Sequence, residues 1–176
     1  MRVVVAYDGG DAGDRAIAAI ANWIRSTDAD VHMLTVMDSS ATTETAMPPG
    51  VHGFQPAGTW AGQPIDVHEP LPKLAETRSQ AIEGARSLAE ERLHDVAQRN
   101  FGTVSVAVHA ELSDHTAEVI VAEARRLGAD VIAIGTHGRG GLRHALMGSV
   151  AEKVIRTATV PVLVVGPAVV APAAIA

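Results

Sequence analysis

A glycine-rich stretch over residues 135–150 carries the residue types best suited to chemistry in this chain. It holds glycines at 135, 138, 140, 141 and 148, and Gly148-Ser149 stands where a helix is predicted to begin. Glycine lets the backbone approach a ligand without a Cβ clash, and the unpaired N–H groups of a helix N-terminus attract anions. Arg139 and Arg143 add positive charge to a chain of net charge −6. The pattern predicts a cradle for a polyphosphate.

A structural explanation of the same stretch stays open. Ser149-Val150-Ala151-Glu152 matches a capping box, in which serine and glutamate satisfy the first N–H groups of a helix. The glycines would then form only a tight strand-to-helix crossover. Two other nucleotide motifs are excluded, because the chain has no G-x-x-x-x-G-K-[ST] and Arg143 stands where a dinucleotide fingerprint requires Gly or Ala.

Asp8 and the histidines are the other candidates for chemistry. Asp8 follows the first predicted strand, where a carboxylate can act as a general base, support a metal site, or simply cap the next helix. His137 and His144 lie seven residues apart, and His109 and His115 are predicted to bracket a loop. No carboxylate shares their spacing. We therefore predict that the protein holds no metal, and that these histidines lie at the surface or beside a ligand.

Composition excludes several classes of protein. The chain has no cysteine, which rules out thiol catalysis, disulfides and thiolate metal sites. A pI near 5.7 and 3% aromatic residues argue against a nucleic-acid partner. The apolar C-terminal run is broken by Pro161, Pro167 and Pro172, so no membrane span is expected. A cytoplasmic protein follows as the expectation.

Hydrophobic periodicity predicts one α/β domain with a doubly wound, open parallel sheet. Ile17, Ile20 and Ile24 share one face of the first helix. The predicted strands are 3–7, 31–36, 104–108, 131–134 and 160–165, and the later helices are 72–100, 117–127 and 150–158. Residues 39–70 form a long loop rich in Pro and Gly, which is either a mobile flap or disordered.

In sheets of this kind ligands bind at the carboxyl ends of the strands, where the strand order reverses. The candidate loops are therefore those after the first strand, at Tyr7 and Asp8, after the second, at Val36, and after Ile134.

These residues resemble the ATP-binding branch of the universal stress protein family. Gly135-x2-Gly138-x9-Gly148-Ser149 matches its G-2x-G-9x-G-[ST] motif, and the flanking segments and the opening strand with Asp8 look like the family too. The resemblance spans residues 2–166. It implies one universal stress protein domain over residues 1–166, followed by an apolar tail at 167–176. It implies a five-stranded Rossmann-like sheet of the adenine nucleotide alpha hydrolase type, with strand order 3-2-1-4-5.

The resemblance also implies a ligand and its contacts. Asp8 and the backbone at Ala6, next to Tyr7, would line the adenine and ribose end of bound ATP, and the backbone of Val36 would bond the adenine edge. Ribose and phosphates, with Mg²⁺ on the phosphate oxygens, would be held beyond Ile134 by Gly135, His137, Gly138, Arg139, Gly148, Ser149 and Val150. Two positions depart from the pattern: Gly10 replaces a helix-opening serine, so that Asp11 could cap instead, and the third strand exits without the usual Gly-x-Pro.

The resulting functional hypothesis is an ATP-dependent regulatory protein of the stress response, with at most slow hydrolysis and an unknown protein partner. Homodimers would form through the last strand, residues 160–165. Two alternatives remain: a dimeric scaffold that binds AMP, cyclic AMP or no nucleotide, and an ATP hydrolase or phosphotransfer enzyme.

Overall fold

The computed structural model describes residues 1–38, 71–136 and 147–166, with the backbone alone over residues 71–78. The described residues form five strands and four helices. In chain order these are β1 (Arg2–Ala6), α1 (Asp11–Ile24), β2 (Asp30–Met37), α2 (Leu71–Phe101), β3 (Val106–Leu112), α3 (Thr116–Leu127), β4 (Val131–Gly135), α4 (Ser149–Thr157) and β5 (Val162–Val165). The predicted loop at 39–70, the tail at 167–176, and His137, Gly138 and Arg139 lie outside the described residues.

All five strands are parallel, in the order β3-β2-β1-β4-β5, which confirms the predicted fold class and strand order. β1 is a run of β-branched residues buried on both faces, as central parallel strands are. Val3 pairs with Val31 on one side and with Val131 on the other. The order therefore reverses beside β1, and the loops after β1 and β4 diverge there to leave a crevice.

Two hydrophobic cores hold the helices on opposite faces of the sheet. On one face, Val3, Val5 and Met33 pack against α1 and α2, including the predicted face of α1. On the other, Val4 and Leu34 pack against α3 and α4. Because side chains alternate along a strand, residues only one position apart in β1 serve different cores. The doubly wound arrangement follows directly from that alternation.

Gly128 ends α3 as the sequence predicts. It adopts a left-handed conformation with φ of 63°, and its N–H donates to the Arg125 carbonyl. A residue with a Cβ disfavours this conformation, so glycine is the natural choice there.

Among the described helices, none has the length and apolar character needed to cross a membrane.

Three local predictions are wrong. β3 runs over Val106–Leu112 rather than 104–108, so His109 lies inside a strand instead of bracketing a loop. β5 begins at Val162, after Pro161, which lacks the N–H that a sheet uses. Asp11 does not cap α1: Gly10 takes the extended N-cap conformation, and its carbonyl accepts from Asp14 N–H at 2.9 Å.

Candidate functional site

A cavity of about 500 Å³ lies at the carboxyl ends of the strands, where the order reverses between β1 and β4. This is a volume typical of small-ligand sites. It brings together nine residues that the sequence predicts for ligand binding: Ala6, Tyr7, Asp8, Val36, Ile134, Gly135, Gly148, Ser149 and Val150. Residues 130 or more positions apart in the chain thus share one cavity, because the sheet places their strands side by side.

Asp8 is held at the cavity wall with one carboxylate oxygen unsatisfied. Its Oδ1 accepts a hydrogen bond from the Gly10 N–H at 3.2 Å. Its Oδ2 is buried and has no donor among the described residues. An unpaired buried acceptor costs about 1–3 kcal/mol, so this oxygen has a strong requirement for a donor. Asp8 accepts a hydrogen bond from the N-cap residue Gly10 and is not itself the N-cap. Helix capping therefore does not explain the aspartate at this position.

Gly13 allows the close approach of α1 to Asp8. A Cβ at this position would lie 2.1 Å from Asp8 Oδ1 and 3.2 Å from Tyr7 Cε2. Only glycine therefore fits where the helix packs against the loop after β1. Our sequence interpretation did not include Gly13, although a glycine inside a helical pattern is a recognised sign of tight packing.

Tyr7 anchors α1 to the loop after β1. Its hydroxyl donates to Asp14 Oδ1 at 2.5 Å, and burial, reinforced by that bond, raises the pKa of Tyr7 to about 12. The phenol therefore stays protonated at neutral pH and acts as a structural donor. Tyr7 also lines a second cavity of about 730 Å³ between the sheet and α2, so the ring separates the two spaces.

The N-terminus of α4 faces the cavity with N–H groups that have no acceptor among the described residues. Gly148 is the N-cap, no side chain caps the helix, and Ser149 is its first helical residue. The predicted capping box is therefore wrong, because Ser149 sits one position too far along the helix to act as the cap. The N–H groups of Ser149, Val150 and Ala151 precede the first intrahelical bond, which Glu152 N–H makes to the Gly148 carbonyl at 3.0 Å.

Gly148 contributes differently from its neighbours. Its N–H donates to the Thr136 carbonyl at 2.6 Å, and Thr136 N–H donates in turn to the Val165 carbonyl. The N-cap is thereby tied to the ends of β4 and β5. An anion in the cavity would meet the N–H groups of Ser149 and Val150, with Gly148 fixing the helix in place.

The loop between β3 and α3, with the first turns of α3, supplies a wall whose residues were not among the predicted site residues. Ser113 and Asp114 of the loop and Thr116 and Ile120 of α3 line the cavity. Six further residues outside the predicted set also line it: Ala16, Leu34, Asp38, Thr136, Ala151 and Gly13. The missing signal is positional, since β3 ends four residues later than predicted and its carboxyl end therefore reaches the site. In the described part of the chain, no group of three or more His, Asp or Glu side chains is arranged to hold a metal ion.

Comparisons with known proteins agree with this architecture. A profile of the Universal stress protein family matches residues 63–166. The chain is 32% identical to Universal stress protein MJ0531 of Methanocaldococcus jannaschii over 93% of this chain and 81% of that protein. Both matches are comparisons of sequence and do not depend on the structure.

Solved structures share the fold at lower identity. Universal stress protein UspA from Lactobacillus plantarum superposes with a TM-score of 0.59 at 19% identity, covering 94% of this chain and 97% of that one. A universal stress protein solved in complex with cAMP gives a TM-score of 0.51 at 17% identity, covering 95% and 97%. These structures share the fold, and the profile match and the 32% identical relative show the family: the chain belongs to the universal stress protein family.

Proposed function

We propose that this protein binds an adenine nucleotide, ATP with Mg²⁺, in the cavity beside β1 and β4, and acts as a nucleotide-dependent regulator in the stress response. One observation carries the proposal. Within residues 1–38, 71–136 and 147–166, the same cavity contains a carboxylate oxygen without a donor, on Asp8, and helix N–H groups without intrahelical acceptors, at Ser149 and Val150. A nucleotide is complementary to both, because its hydroxyl and amino groups donate and its phosphates accept.

The proposed pose follows from the chemistry of the two groups. Asp8 and the backbone at Val36 would receive the nucleoside end, and the α4 N-terminus, with its positive dipole end, would receive the phosphates. Mg²⁺ would arrive with the nucleotide and neutralise phosphate charge. The cAMP complex of another member of this fold supports the choice of ligand class.

Catalysis is a minor part of the proposal. Phosphoryl transfer needs a positioned metal and a residue that orients the nucleophile. The sequence offers Asp8 and His137 and no clear pair beyond them, so we propose hydrolysis that is slow at most. AMP, cyclic AMP or an empty scaffold are the alternatives that a binding experiment separates.

Ser149→Asp tests the phosphate end of the cavity. The exposed Ser149 is the first residue of α4, where a carboxylate stabilises a helix by about 0.3–1 kcal/mol through the dipole. The same charge repels phosphates, so we expect affinity for Mg·ATP to fall at least about tenfold, roughly 1.4 kcal/mol. Affinity for adenosine, which has no phosphate, should stay within about twofold. Calorimetric titration of both ligands measures the difference.

The matched control is Gln98→Glu, which makes the same change in net charge on an exposed position of α2. It should bind both ligands like the unmodified protein. If Ser149→Asp binds Mg·ATP normally, phosphates do not lie at the α4 N-terminus. If the unmodified protein binds neither ligand, the scaffold alternative replaces this proposal.

We further propose that two copies pair through β5, the last strand of the described sheet on that side. The Val165 carbonyl accepts from Thr136 N–H toward β4. Because successive residues of a parallel strand bond to opposite neighbours, the Val164 N–H points to the open side. An unpaired strand edge of this kind readily pairs with another chain.

Val164→Pro should convert the dimer to a monomer, because proline removes that outward N–H while the bonds from Val165 to β4 remain. Val164→Ala is the control, since it trims the side chain but keeps the N–H. Sedimentation velocity gives the mass, and circular dichroism confirms that both variants are folded. A Val164→Pro protein that sediments as a dimer would move the interface away from β5.

A further inference from the structure

Four ionisable side chains form a row from β2 across β3 to α3, away from the nucleotide cavity: Asp30, His32, His109 and Glu123. His32 Nδ1 lies 3.0 Å from His109 Nε2, and the two rings stack with centroids 5.3 Å apart. The outer nitrogens face carboxylates, His32 Nε2 at 3.5 Å from Asp30 Oδ1 and His109 Nδ1 at 3.8 Å from Glu123 Oε1. The row therefore links β2, the edge strand β3 and α3.

Counting protons shows which charge state fits this geometry. The 3.0 Å contact requires one hydrogen between the facing nitrogens, one ring donating and the other accepting. Each outer nitrogen can carry a further proton toward its carboxylate. Three protons on four nitrogens therefore allow the inner hydrogen bond, place a proton toward each carboxylate at ion-pair distance, and leave one positive charge on the pair. A fourth proton would place two N–H groups face to face between stacked cations.

The surroundings keep the carboxylates charged while the rings titrate. A hydrogen bond from Arg2 holds the pKa of Asp30 below its usual value, and one from Arg126 does the same for Glu123. Burial lowers the pKa of His109, and the nearby charge of His32 lowers it further.

Other charged groups lie around the row. Glu123 raises the pKa of His109 and opposes the effect of burial, and Glu90 on α2 adds a smaller effect in the same direction. Arg126, on α3, lowers it. Glu111, two residues beyond His109 on β3, forms an ion pair with Arg86 at 3.2 Å. The arginines stay cationic throughout, so the protons gained by this row as the pH falls go to its imidazole nitrogens.

We propose that His32 and His109 form a proton-sensitive latch, closed while one hydrogen is shared between their facing nitrogens and opened when both rings become cationic. Opening removes the side-chain link between β2 and β3 and places two like charges beside each other under α3. The edge strand and α3 are thereby loosened at mildly acidic pH, while the central strands are untouched. The device needs no ligand and is independent of the proposed nucleotide site.

The direction of the pH effect follows from linkage. Because the pKa of His109 is lower in the folded protein than the usual imidazole value of 6.5, the folded state binds fewer protons than the unfolded chain as pH falls. The stabilisation is present above pH 6.5 and is lost as the pH drops from there through the folded value. Acid should act first on β3 and α3.

The first test is NMR titration of the imidazole Cε1–H signals in the full-length protein between pH 4.5 and 8. We expect the His109 signal to titrate at a pH below the usual imidazole pKa of 6.5. Amide exchange in β3 should accelerate at least about tenfold across that titration, with little change in β1. A His109 signal that titrates at the usual pH, or exchange in β3 that does not follow the titration, would overturn the latch.

A second test uses His109→Gln, whose amide keeps a hydrogen-bonding group near Nε2 but cannot become cationic. Its urea midpoint should vary less between pH 6.5 and 5 than that of the unmodified protein. His94→Gln, on an exposed position of α2, should retain the original pH dependence. Parallel loss of stability in all three proteins would refute the proposal. Should His109→Gln not fold, His32→Gln repeats the comparison, and the titration needs no variant.

Discussion

Gly13→Ala should weaken Mg·ATP binding at least about tenfold and destabilise the protein by up to about 2 kcal/mol. Alanine normally favours a helix interior over glycine by about 1 kcal/mol. Here its Cβ would meet Asp8 Oδ1 at 2.1 Å, so either α1 or the carboxylate must move. Overpacking costs about 1–3 kcal/mol, which outweighs the gain in helix propensity. Titration with Mg·ATP and urea unfolding measure the two effects.

Gly84→Ala is the matched control for this prediction. Gly84 also lies inside a helix, α2, but a Cβ there would have no atom within 4 Å. Only the propensity effect remains, so this variant should be stabilised by about 0.5–1 kcal/mol and bind as before. If Gly13→Ala folds and binds like Gly84→Ala, the position of Asp8 does not depend on the absence of a Cβ at residue 13.

Leu93→Ala should lower the free energy of unfolding by about 3 kcal/mol. The side chain is 1% exposed in the core between α2 and the sheet, and truncating a buried leucine costs its transfer free energy plus that of the cavity left behind. Because native domains are stable by only about 5–15 kcal/mol, this change should shift the urea midpoint by a large fraction of its value.

Leu88→Ala, five residues earlier on the same helix, isolates the burial effect. Leu88 is 59% exposed, and the change in intrinsic helix propensity is the same for both variants. A surface substitution should alter stability by no more than about 0.5 kcal/mol. Equal losses at the two positions would show that α2 does not pack against the sheet as described.

The strands that the sequence predicts best are those with the simplest surroundings. β1 and β4 lie in the sheet interior, so their uninterrupted apolar residues reveal them. β3 is an edge strand in which His109 and Glu111 alternate with small apolar residues. Because of these polar residues, the predicted strand ends at residue 108, four residues before the end of β3. Its true extent depends on hydrogen bonds to β2, from Val31↔Val106 to Met37↔Leu112, which no local pattern records.

Which backbone segments lie together could be predicted from the sequence, whereas the direction of individual side chains could not. Of the glycine motif, the described residues Gly135, Gly148 and Ser149 line one cavity with residues at the ends of β1 and β2. By contrast, Asp11 and Ser149 are residue types that often cap helices, yet neither is a cap, because the N-cap of each helix is the glycine before it, Gly10 or Gly148. Whether Asp8 Oδ2 finds a donor likewise depends on packing by α1.

The bond from Gly148 N–H to the Thr136 carbonyl has a consequence for how this protein diversifies. It pins together two points of the chain that are twelve positions apart, and both belong to the rigid scaffold through β4, β5 and α4. Lengthening a closed loop twofold costs only about 0.6 kcal/mol. Changing or lengthening the intervening residues should therefore leave the N-terminus of α4 in its place beside β4 and β5.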